Sequence, residues 1–167
     1  MIPHIRELVA ALVIGIGATL MMDAWNLFLA RAFGVKSLNY CLLGRWVSHI
    51  PSGKFRHSSI ANAEQRPNEC VIGWITHYSI GLALALSFVT IVSRNWLMSP
   101  TLLPALLFGV ITVVFPFFVL QPSLGFGVAS SKTPNPAKAR LKSFGTHTVF
   151  GIGLYLSALV VVELLHW

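Results

Sequence analysis

Three side chains stand out in this chain for the chemistry they can do: Asp23, His77 and His147, each lying in a long apolar stretch with almost no other charge. An ionisable group at membrane depth is costly, so each calls for a partner or a task. A carboxylate with two neutral imidazoles is the facial donor set that holds iron, or zinc together with a water. Two imidazoles from different helices also match the axial ligation of a haem. The same groups can relay protons, because histidine titrates near neutral pH and a nearby carboxylate raises its pKa. The plainest alternative is a buried hydrogen bond between Asp23 and one histidine that fixes helix register and does nothing else.

Helical spacing indicates which way these groups face. Four residues apart on one face lie Ala11, Gly15, Thr19 and Asp23; then Gly73, His77, Gly81 and Ala85; then Ser143, His147, Gly151 and Tyr155. Faces of small residues are where membrane helices approach each other closely, so all three groups are expected in a bundle interior. Asn26 and Gln121 are expected nearby in that interior as candidate hydrogen-bond partners. Thr76 and Thr146 precede the two histidines in a shared string, Thr-His followed four residues on by Gly81 or Gly151, which suggests two diverged copies of a helical hairpin.

The elements that must carry these residues follow from composition. Of 167 residues 55% are hydrophobic and 10% charged, against about a quarter charged in an ordinary soluble domain. So little charge cannot cover a soluble surface, and a bilayer removes the need. Four apolar runs, about 8–30, 71–93, 102–121 and 144–165, are long enough to cross a hydrocarbon core of ~30 Å. The expectation is a single all-α domain over 1–167: an integral membrane four-helix bundle with both termini on one side. Asp23, His77 and His147 would then share a layer on the order of 10 Å inside one face.

The net charge of +7 is a topological signal. Arg31, Lys36, Arg45, Lys54, Arg56 and Arg66 lie between the first two runs, and Lys132, Lys138, Arg140 and Lys142 between the last two, whereas the opposite side has Arg6 and Arg94. The positive-inside rule therefore predicts cytoplasmic loops 31–70 and 122–143 and periplasmic termini. The basic loops are suited to anionic lipid headgroups, and nucleic acid is not an expected partner.

Loop 31–70 is longer than a connection needs. Leu38, Leu42, Trp46 and Ile50, four apart and beside Arg45 and His49, predict a short interfacial helix anchored by Trp46. The Pro51–His57 stretch reads as a turn with a basic tip and a solvated His57, and lacks the pattern of a phosphate loop. Cys41 and Cys70 fall on the reducing side and are expected as free thiols, with Cys70 beside Glu69 as at most an extra metal ligand. Segment 122–142, rich in Ser, Gly and Pro, is expected to be irregular. Neither a serine-centred triad nor a carboxylate pair in helical register is visible, so hydrolase chemistry has no support.

The chain resembles a family of bacterial membrane proteins, domain of unknown function 2938. The resemblance rests on Gly17-Ala18-Thr19 through Met22-Asp23, Gly44-Arg45-Trp46, Gly53 to His57, Glu69 through Gly73-Trp74, His77-Tyr78 and Gly81. It continues with Gln121-Pro122, Gly125, Gly127, Pro134 to Arg140 and His147. It implies a small multi-pass protein of the bacterial cytoplasmic membrane and brings no activity with it. Three expectations follow. The first is ion or small-solute handling at Asp23, His77 and His147, by metal binding or proton linkage and within a homodimer. The others are a non-catalytic assembly protein and a haem-carrying redox subunit.

Overall fold

The computed structural model describes residues 5–35 and 38–165. Lys36, one of the basic residues counted above, lies outside them. The described residues form α1 (Ile5–Phe33), α2 (Tyr40–His49), α3 (Glu69–Ile91), α4 (Arg94–Met98), α5 (Leu102–Ile111), α6 (Gln121–Leu124) and α7 (Pro136–Leu165). Among them there is no strand. Four stretches, Ile5–Phe33, Glu69–Ile91, Leu102–Leu124 and Pro136–Leu164, are long and apolar enough to cross a membrane. The exposed faces of these helices are themselves apolar. Leu12, Ile16 and Leu20 on α1, Leu103, Leu107 and Ile111 on α5, and Leu156 and Val160 on α7 all lie open. In water this would be a large aggregating surface; in lipid it is the outside of a membrane protein.

The helices outrun the apolar runs, most of all at α7. Segment 122–142 was expected to be irregular, yet α7 begins at Pro136. Pro136 opens the helix, where its missing N–H costs nothing, and the Asn135 side chain accepts a hydrogen bond from the Lys138 N–H at 3.0 Å. Ala137, Lys138, Ala139, Arg140 and Leu141 are good helix formers with too much charge to register as a span. The third apolar run is interrupted at Pro116. Residues Pro116–Leu120 form a wide turn in which the Gln121 N–H reaches back five residues to the Pro116 carbonyl. Proline in a helix interior removes a hydrogen bond and crowds the preceding turn, and the wider turn accommodates it.

The chain divides into two compact units. Unit 1 comprises residues up to 36, 78–112 and 145–167, and so holds α1, most of α3, α4, α5 and most of α7. It is a four-helix bundle with a core of Ile14, Phe88, Phe150, Leu154 and Val161 among small residues such as Ala11, Ala18 and Ala105. Phe88 packs edge-on against Trp96 of α4 with ring centroids 4.8 Å apart. The bundle is tight because small residues face each other: a side chain at Gly109 would meet the backbone of Gly151, and one at Gly153 the backbone of Ala18. Unit 2 comprises residues 37–77 and 113–144, and so holds α2, the first turns of α3, α6 and the first turns of α7. Its buried apolar residues are few, Leu43, Ile60, Val113 and Leu124, and they accompany a larger polar core.

Candidate functional site

Polar side chains pair between helices within unit 1. The Tyr78 hydroxyl on α3 donates to Asp23 Oδ2 on α1 at 3.1 Å. Thr146 Oγ1 on α7 donates to Asn26 Oδ1 on α1 at 3.4 Å, with both residues buried. Thr112 Oγ1 lies 2.7 Å from His147 Nδ1 and 2.6 Å from the Gly109 carbonyl. A hydroxyl has one hydrogen, which goes to Gly109. His147 therefore carries its proton on Nδ1 and donates to Thr112, leaving the lone pair on Nε2. The ladder leading to Asp23 is buried at Ala11, Gly15 and Thr19, and Tyr155 packs against the unit 1 core.

His77 and Thr76 belong to unit 2. The His77 ring stacks on Tyr40 with centroids 4.1 Å apart and meets Trp74 edge-on. Gln121, also in unit 2, donates from Nε2 to Ser143 Oγ at 3.3 Å, and its Oε1 is buried without a partner. Among the described residues no group of three His, Cys, Asp or Glu side chains is arranged to hold a metal ion. The structure brings Asp23 to Tyr78 and His147 to Thr112 within unit 1, and His77 to Tyr40 within unit 2.

Unit 2 contains a second polar assembly, and its centre is Arg45. The guanidinium is paired fork to fork with Glu69, Nε to Oε2 and NH2 to Oε1, both at 2.8 Å, with side chains only 7% and 14% exposed. Its NH1 also reaches the carbonyls of Ile60, Ala61 and Ala63 at 3.0–3.2 Å. One turn further along α2, His49 Nε2 lies 3.0 Å from the Glu64 carbonyl, and Arg66 NH2 lies 3.4 Å from His49 Nδ1. Arg66 can only donate, so Nδ1 accepts and Nε2 carries the hydrogen given to Glu64. Arg45 and His49 together strap residues 60–64 onto α2.

Several expectations change here. His49 and His57 are not surface residues: they are 3% and 7% exposed, with ring centroids 5.1 Å apart. The basic tip does turn at Gly53, whose φ of 75° suits glycine, but the chain then folds His57 inward, where its backbone N–H donates to the Ser123 carbonyl at 2.9 Å. Gly125, at φ 91°, leaves room for this segment, because a side chain there would meet the carbonyls of His57 and Ser58. Burial, followed by the charges of Lys54 and His49, holds the His57 pKa below its ordinary value. Trp46 donates its indole N–H to the Phe55 carbonyl at 2.9 Å, so its polar end is engaged within the protein.

Cys41 and Cys70 are not free thiols but form a disulfide between α2 and the start of α3. The expectation failed because it weighed compartment alone. What brings the cysteines together is a helix crossing: a side chain at Gly44 would run into the Glu69 carbonyl and the Gly73 N–H, and one at Gly73 into the Tyr40 carbonyl. Gly44 and Gly73 each lie three residues beyond a cysteine, and that matched spacing was the available signal.

Helices with lipid-suited faces around hydrogen-bonded polar pairs define a multi-helix protein of membrane type. A family model described as a protein of unknown function, DUF2938, matches residues 12–161. The chain belongs to that family. Comparison with curated proteins and with solved structures found no match.

Proposed function

We propose that this is a multi-pass protein of the bacterial cytoplasmic membrane that carries a proton together with a small solute through unit 1, with Asp23 as the proton-carrying group. The observation that supports the reading best is the hydrogen bond from Tyr78 to Asp23. A proton taken up by the Asp23 carboxylate gives it a donor where it had only acceptors, and so changes the tie between α1 and α3. His147, hydrogen-bonded to Thr112, offers a second titratable group in the same unit. The small-residue faces that an assembly protein would present to others are used inside unit 1, which favours solute handling over assembly. The distribution of Lys and Arg supports cytoplasmic loops.

The test is proton flux into liposomes containing the purified protein, driven by an imposed potassium diffusion potential, with a pool of small polar metabolites present. Wild type is expected to acidify the lumen, Asp23→Asn to reduce flux at least tenfold and Tyr78→Phe to reduce it less, with thermal unfolding in detergent showing that both variants fold. Undiminished flux in a folded Asp23→Asn protein would refute the reading.

A further inference from the structure

The polar core of unit 2 contains buried nitrogens without a hydrogen-bond partner. Arg66 Nε is buried without a partner, and so is Nε2 of His57. Both residues adjoin His49, whose ring centroid lies 5.1 Å from that of His57 and whose Nδ1 lies 3.4 Å from Arg66 NH2. Their frame is fixed: His57 is held by Ser123, and the strap preceding Arg66 is bound by Arg45 and His49. A buried polar atom left without a partner is costly, so a native fold retains one where something fills it. Charge indicates what fills it. Lys54 and Arg56 flank His57 on the basic tip, and Arg66 is matched by Glu64, whose side chain is 72% exposed and takes NH2 at 3.2 Å. Glu69 is committed to Arg45. A neutral water would leave the surplus positive charge in place; an oxyanion brings several acceptor oxygens and offsets that charge.

We infer that His57 and Arg66 form an oxyanion site that takes a phosphate group, donating from His57 Nε2–H and Arg66 Nε–H, with Lys54 adding charge at its edge. The phosphate comes either from an anionic lipid headgroup or from free phosphate in solution. The site lies wholly in unit 2 and does not rest on the role proposed for Asp23.

Full-length protein in nanodiscs tests this by thermal unfolding, with inorganic phosphate titrated against chloride at constant ionic strength. In phosphatidylcholine discs, stabilisation by added phosphate would identify free phosphate as the ligand. Stabilisation on changing to discs containing phosphatidylglycerol, with no further gain from added phosphate, would identify the headgroup. In either case Arg66→Gln and His57→Phe are expected to weaken the response at least tenfold, while Lys138→Gln, an exposed cation of the same unit, leaves it intact. Arg66 is partly exposed, so its variant keeps the test valid if His57→Phe fails to fold. Wild-type protein indifferent to phosphate in both lipids, as when buried waters fill the site, overturns the inference; so does a response that Arg66→Gln leaves unchanged.

Discussion

His57 shows how far a residue's neighbours in sequence can mislead about its surroundings. Lys54 and Arg56 suggest a solvated tip, yet the side chain is buried, and the backbone N–H of His57 donates to the carbonyl of Ser123, far along the chain. Arg45 is the same lesson: nothing local says that its partner is Glu69. Tyr78 escaped notice beside His77, though a phenol in an apolar span also needs a partner. Burial of His57 has a consequence that can be measured. In the unfolded chain it titrates near its ordinary 6.5, and in the folded chain lower. Between those values the unfolded chain binds more proton, so the stability His57 permits is complete above about pH 6.5 and falls as pH drops through the window. Unfolding in detergent across the mildly acidic range should show wild type losing stability more steeply than His57→Phe; equal slopes would place the acid sensitivity elsewhere.

At the scale of elements, the four membrane-length helices were legible because apolar length is a strong signal. Their polar ends were not: Pro136 to Ser143 carries Lys138, Arg140 and Lys142, and hydropathy sees only a basic loop where Asn135 caps a helix. The crossing of α2 and α3 was hidden too, since Gly44 and Gly73 reveal themselves only as a pair. Overfilling such a contact typically costs about 1–3 kcal/mol. Gly44→Ala should therefore lower the unfolding temperature clearly. Gly145→Ala, in the interior of α7 with open space around it, should raise stability by about 0.5–1 kcal/mol. Similar responses from the two variants would show that the crossing is looser than its backbone contacts require.

For the whole molecule, two physical signals bear on orientation and point opposite ways. Basic residues concentrate in the two long segments, the mark of a cytoplasmic face. A disulfide between Cys41 and Cys70 belongs to an oxidising compartment. Both are satisfied if the thiols stay reduced in the cell and oxidise once the protein is exposed to air. The chain has two cysteines, so alkylation reads this directly. Cells quenched in acid should yield protein with both thiols labelled, and protein purified without reductant should label only after reduction. A disulfide already present in the quenched cells would place the long segments on the outer face.

The polar assembly around Arg45 also has an order in time. Its acceptors lie 15 to 24 residues downstream, and the carbonyl that seats His57 belongs to Ser123, beyond the third apolar run. A ribosome delivers these parts in sequence, so the guanidinium must wait, still hydrated, until Glu69 has emerged. His57 must wait until the run ending in α6 has been synthesised. The first long segment is among the earlier parts of the chain to be made and among the later ones to reach its final form.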